Sequence, residues 1–238
     1  MDTLEKTTER INKAMATRGL CTRRQADDLI REGVVFVNNK PAVLGAQVGP
    51  DDKIEIRDED NLYMGELEYV AYYKPRGIVT HSATRQQKDV AQVSGFPDLY
   101  PVGRLDKESE GLLMLTNDGR ITERLLHPRF AHEKEYFVEF SGHFPKNGEA
   151  KLLEGMVIDG ETLSAKEVVV LNRKQLTLVL TEGKRHQVRK MMAALGLEVG
   201  ILKRTRIMGV LLGALKPGAA RVLKGVALKN FLNDLDLK

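Results

Sequence analysis

Apolar positions in the first third of the chain change period twice. In "RINKAMATRGLCTRRQADDLIREGVVFVNNKPA" the residues Ile11, Ala14, Met15 and Arg18 recur at helical spacing, and Gly19 can take the left-handed position that ends a helix. Thr22 followed by Gln25 fits a capping box, Ala26, Leu29 and Ile30 form the apolar stripe, and Gly33 closes the element, so a second helix is predicted over roughly Arg23 to Glu32. "VVFV", the Asn38-Asn39 pair and "KPAV" then read as a hairpin, because asparagine tolerates the positive φ of a tight turn. After the turn Gly49-Pro50-Asp51-Asp52 comes a short strand, "KIEI".

From Arg57 to Glu68 the pattern lapses into "RDEDNLYMGELE", acidic and poor in branched apolar residues, which predicts a linker with a domain boundary near residues 58–66. The expected division is residues 1–60 as a small module and residues 61–238 as the main domain. Beyond the boundary, strand-like runs ("YVAYY", "GLLMLT", "EYFVEF", "EVVVL", "LTLVL", "GILKRTRI") outnumber helical patterns ("GRITERLLH", "KNGEAKLLEG", "HQVRKMMAAL", "GVALKNFLNDL"). Without regular strand-helix alternation this predicts an α+β fold with a mixed, largely antiparallel sheet.

Composition narrows the class. The chain has 238 residues, 42% hydrophobic and 29% charged, with no tryptophan, the make-up of an ordinary globular protein. No apolar run approaches a membrane span, the N-terminus shows no secretory signal, and the single Cys21 suits a reducing compartment, so a cytoplasmic monomer without membrane attachment is expected. The net charge of +4 is mild, but its distribution is uneven. Between Arg10 and Arg31 six cations (Arg10, Lys13, Arg18, Arg23, Arg24, Arg31) face only Asp27 and Asp28. Between Gly183 and Arg206 seven cations stand against Glu198 alone, a stripe suited to RNA phosphates. Histidines and cysteines do not cluster at metal spacing, so chemistry without metal or cofactor is expected.

The segment with chemical character is "VGRLDKESEGLLMLTNDG", residues 102–119. Asp106 there could be a plain turn residue, but Gly103 and Gly111 bracket it, Arg104 stands two residues away, and the buried-looking "LLMLT" could hold a side chain rigid. Its last seventeen residues, "GRLDKESEGLLMLTNDG", resemble the signature of the pseudouridine synthases of the RsuA, RluB and RluF branch. "HEKEYFVEF", "TEGKRHQVRKMMAALG", "LKRTRIMGV" and "LKPGAARVL" are similar to that family's later blocks, with "HEKEY" and "RTRIM" nearest the RluF type. The N-terminal segment is similar to the small αL-type RNA-binding module of ribosome-associated proteins.

The resemblance implies an isomerase that detaches uracil from its ribose at N1, turns it and rejoins it through C5, most closely one acting on large-subunit ribosomal RNA. It implies that Asp106 is the catalytic aspartate, acting as nucleophile or by removing a ribose proton, and that Arg189 of "HQVRK" supplies the cation that keeps it charged. Val188, Met192 and Leu195 form one apolar face of that helix and leave Arg185, Arg189 and Lys190 elsewhere. Tyr136 alternates with Val138 and Phe140 as a core aromatic of a strand would, whereas the resemblance sets it against the target uracil. Arg104 is expected to wedge into RNA or hold a phosphate, the alternative being a pair with Glu108 or Glu110; Lys184 and Arg185 are expected on the RNA backbone, as are Arg10, Lys13, Arg23 and Arg24 of the basic module. Pro75 and Gly77 of "YKPRGIVT" look like a structural turn, and His127, His132 and His186 look structural or RNA-facing. Competing readings are a non-catalytic ribosome-assembly protein, a synthase acting on small-subunit rRNA or tRNA, and a two-carboxylate glycoside hydrolase, the last disfavoured by an aromatic content of 5%.

Overall fold

The structure, a computed structural model, describes residues 8–57, 66–84 and 86–237, which group into two compact units. The predicted linker core, residues 58–65, and the first residues of the chain lie outside the described residues.

The first unit begins with β1 (Glu9–Arg10), α1 (Ile11–Thr17) and α2 (Arg23–Arg31). The capping box forms as the sequence predicts: Thr22 Oγ1 accepts from Gln25 N while Gln25 Oε1 accepts from Thr22 N, an arrangement that contributes about 1 kcal/mol. Gly19, Gly33, Asn38 and Asn39 all take positive φ, so both helix ends and the hairpin turn are where their residue types put them. Strands β2 (Val35–Val37), β3 (Lys40–Pro41), β4 (Gln47–Val48) and β5 (Ile54–Ile56) follow; β2 pairs antiparallel with β3 and β5, and β1 with β4. Ile11, Met15, Leu29 and Val35 are fully buried in its core. Thr116–Glu123 group with this unit.

The second unit is built on a nine-stranded sheet. The elements from Tyr69 onward are β6 (Tyr69–Lys74), α3 (Val90–Val93), β7 (Tyr100–Val102), β8 (Glu110–Thr116), α4 (Arg120–Leu126, its first residues grouping with the first unit), β9 (Lys134–Ser141), α5 (Gly148–Glu154), a hairpin of β10 (Met156–Ile158) and β11 (Glu161–Leu163), β12 (Glu167–Asn172), β13 (Gln175–Leu180), α6 (Gln187–Ala194), β14 (Glu198–Ile207), β15 (Val210–Leu211), β16 (Ala220–Val222) and α7 (Gly225–Asp234). The strand order is β12-β13-β9-β14-β8-β6-β16, with β7 beside β8 and β15 beside β14. Pairs β12–β13, β13–β9, β9–β14, β14–β15 and β16–β6 are antiparallel and β8–β14 is parallel, the largely antiparallel mixed sheet that the α+β pattern predicts. The six runs and four helical patterns named above each fall on one of these elements; the short β7, β10, β11 and α3 were not legible as periodic segments.

Alternation along β9 buries Lys134, Tyr136, Val138 and Phe140, which with β13, β14 and the apolar face of α6 enclose a core of Leu176, Leu178, Met191 and Met192. A second cluster, with Val70, Tyr72, Leu113 and Leu115, packs about β6 and β8. Among the described residues no helix is long and apolar enough to cross a membrane.

Candidate active site

Asp106 lies on the loop from β7 to β8, and the loop is tied down from several sides. Thr80 Oγ1 donates to Leu105 O at 2.6 Å and accepts from Leu105 N at 3.0 Å, fixing both backbone groups of the residue before Asp106. Gly77 N donates to Lys107 O at 2.8 Å, and Ser109 N closes a turn onto Asp106 O at 3.0 Å. The strand that follows is buried from Gly111 to Thr116. Gly111 makes this possible: at φ +105° a Cβ there would fall 2.3 Å from Arg204 O and 2.7 Å from Arg204 N, so only glycine lets β8 approach β14. The close approach at this glycine is thus to the protein's own backbone.

The Asp106 carboxylate, about one-third exposed, borders a cavity of about 340 Å³, a volume in the lower range of small-molecule sites. Tyr136 lines the same cavity while 8% exposed in the sheet core, so its core placement and its cavity placement coincide. Leu180, Val188 and Leu202 supply apolar wall. Arg104, Lys184 and Arg185 stand among the lining residues with Arg104 and Arg185 exposed. Arg104 does not pair with Glu108 or Glu110, because Arg76 holds Glu108 at 3.1 Å and the Tyr73 hydroxyl donates to Glu110 at 2.9 Å. Burial and that glutamate push the Tyr73 phenol up to about 12.

Arg189 is placed differently from expectation. Its guanidinium donates to Glu108 O at 3.0 Å, to Val199 O at 3.2 Å and to Ser109 Oγ at 3.5 Å, and it does not line the cavity. It braces the Asp106 loop from behind. The carboxylate instead faces His186, whose Nε2 is 3.4 Å from Asp106 Oδ1. A φ of +56° at His186, just ahead of α6, turns its ring that way, and spacing alone gave no warning of it. Lys74, next to the Pro75 turn, is fully buried; its Nζ donates to the carbonyls of Pro75 and Ile78. Burial drives that amine down to about 8, with the charges of Asp106, Glu108 and Glu110 acting in the opposite direction.

The seven-cation stretch is not one solvated stripe. Lys190 pairs with Asp159 at 2.6 Å, Arg206 with Glu133 at 3.0 Å, and Lys184 lies 3.6 and 3.7 Å from Glu182 and Glu161. Lys203 stacks over Phe137, and Arg204 is 4% exposed inside the cavity wall. In the first unit Lys13 pairs with Glu9, and Arg18 binds the carbonyls of Gly49 and Asp52; Arg10, Arg23 and Arg24 are exposed.

A family model described as RNA pseudouridylate synthase matches residues 68–194. The chain belongs to that family. The synthase also matches an S4 domain model over residues 9–54, which is the helical basic module. It is 38% identical over 227 residues to the ribosomal large subunit pseudouridine synthase B of Bacillus subtilis (strain 168), covering 90% of this chain and 92% of the relative. It is 33% identical over 217 residues to the dual-specificity RNA pseudouridine synthase RluF of Escherichia coli (strain K12), covering 90% of this chain and 75% of the relative. A crystal structure of a pseudouridylate synthase superimposes with a TM-score of 0.69 at 31% identity, over 95% of this chain and 99% of that one. The synthase is therefore an isomerase with an RNA substrate, built as the sequence resemblance implies.

Proposed function

We propose that this synthase converts a specific uridine of large-subunit ribosomal RNA to pseudouridine in the cytoplasm, working as a monomer without cofactor. The observation that carries the chemistry is the placement of the Asp106 carboxylate and Tyr136 on one cavity with cations at its margin. The large subunit is favoured by the 38% identical Bacillus relative, a ribosomal large subunit pseudouridine synthase.

Tyr136 offers a flipped uracil an aromatic face, and Asp106 meets the ribose, either adding an oxygen to C1′ or taking the C2′ proton. Arg189 acts on this reaction through the loop, by holding Glu108 and Ser109 in place. Arg104, Arg185 and Lys184 hold the displaced strand by its phosphates, while Arg10, Lys13, Arg23 and Arg24 anchor the RNA at the S4 module.

Purified protein on unmodified rRNA transcripts is expected to form pseudouridine at one position, and Asp106→Asn to lose activity by about a thousandfold or more. Mapping of pseudouridines in cells with and without the gene identifies that position. Equal modification by wild type and Asp106→Asn, or a target confined to small-subunit RNA, overturns the corresponding part of the proposal.

A further inference from the structure

Two cations lie in the wall of the Asp106 cavity where folding alone gives them no reason to be. Lys134 is 7% exposed and Arg204 is 4% exposed, on neighbouring strands in which Arg204 stands opposite Tyr136. Both line the cavity. Lys134 Nζ donates to the carbonyl of His132 at 2.8 Å and Arg204 Nε to that of Leu112 at 2.7 Å, but among the described residues neither meets a carboxylate. Arg204 Nη2 is buried with no hydrogen-bond partner at all. The register slips between Arg204 and Arg206, a bulge of the kind that re-aims side chains beside active sites.

Burying two like charges together is costly. Desolvation and the Arg204 charge drive the Lys134 amine down to about 8. An unspent guanidinium donor in a dry wall costs more again. Such an arrangement persists where something negative or oxygen-rich is meant to complete it. Phosphates are better served at the margin by Arg104 and Arg185, which are exposed. The buried pair instead flanks Tyr136, the aromatic face for the base, among Leu180 and Leu202.

Resting on the uridine-isomerising reading, we propose that Lys134 and Arg204 are catalytic residues that bind the carbonyl oxygens of the target uracil and stabilise it as an anion after its bond to ribose breaks. The electron pair of the N1–C1′ bond leaves with the base. C1′ is then held either by an Asp106 oxygen or in the alkene formed when Asp106 takes the C2′ proton. The base charge spreads over N1, O2, O4 and C5, and donors fixed at its oxygens hold it in the cavity. C5 next returns a pair to C1′, Asp106 is released or gives back its proton, and the C5 proton is lost to solvent while N1 takes one up, so the rejoined base is neutral. Donors without acceptors also suit the O4 of uracil and repel the amino group of cytosine, which gives the site a means of rejecting cytidine.

The test uses single-turnover cleavage on full-length protein with transcripts of both rRNA subunits and a tRNA pool, so that the target is present wherever it lies. Arg204→Met and Lys134→Met are expected to slow the step by about a hundredfold with RNA affinity near that of wild type. Arg204→Lys, which keeps a charge in the wall, is expected to lie between. On RNA containing 5-fluorouridine, whose base departs more readily as an anion, the deficits are expected to shrink to less than about tenfold. Thermal melts matching or exceeding wild type show that the variants fold. Deficits equal on both substrates, as a structural role would give, overturn the inference, as does a loss confined to RNA affinity, which would mark a phosphate site. Wild type that converts no uridine overturns the functional reading and this inference together; an active wild type with equal deficits overturns this inference alone.

Discussion

At Lys134, β9 buries an amine that water would rather keep. Its folded value of about 8 lies below the ordinary lysine value near 10.4, so between the two the unfolded chain holds a proton that the folded one has shed. Stability from this residue therefore rises with pH across that window and is at its lowest below about 8, where both states are charged. Urea denaturation of wild type beside Lys134→Met should show the difference between them shift toward wild type by about 1–3 kcal/mol from roughly pH 7.5 to 10.5. The comparison removes Cys21 and Tyr73, both pushed up to about 12, which titrate alike in the two proteins and act with the opposite sign. A flat difference would show that the Lys134 charge is not buried as the structure places it. The residue was within reach of the sequence, since it shares the parity of Tyr136, Val138 and Phe140, yet no local pattern marks a lysine there as buried until its strand is seen packed.

Between elements, the site depends on how closely β8 passes β14. Arg204 reaches its place because the backbone of β14 lies against Gly111, with no Cβ between. Gly111→Ala would put a methyl 2.3 Å from a carbonyl oxygen at a φ of +105°. The expected cost is about 3 kcal/mol or more of stability by chemical denaturation, together with loss of pseudouridine formation well below the unfolding midpoint. A variant of normal stability and activity would refute this account of the glycine. The longer helices, the capping box of α2 and the principal strands were legible from period and punctuation, because those signals are local. The parallel pairing of β8 with β14 was not, because it joins residues some ninety positions apart, as in the bond from Arg204 to Leu112, which no local pattern encodes.

For the whole molecule, the RNA anchors proposed on the S4 module and the proposed chemistry fall on separate groups of residues, and this separation can be measured. Arg23 and Arg24 are exposed on the S4 module, whereas the Asp106 cavity is lined wholly by residues of the second unit. Charge reversal, Arg23→Glu with Arg24→Glu, is expected to weaken RNA binding by about tenfold or more and to flatten its dependence on salt, with the single-turnover rate at saturating RNA unchanged. A fall in that rate with affinity intact would contradict the division. The sequence by itself determined the α+β class, the basic module and the segments that carry Asp106, Tyr136 and Arg189, because hydrophobic period, turn residues and a seventeen-residue signature are all written along the chain. The tertiary structure alone decided what surrounds the carboxylate. It set His186 3.4 Å away, turned Arg189 onto the backbone of the loop, buried Lys74, and brought Lys134 and Arg204 into the cavity wall. Those placements follow from strand order, a bulge and one left-handed residue, which fix where a side chain points only after distant segments have packed.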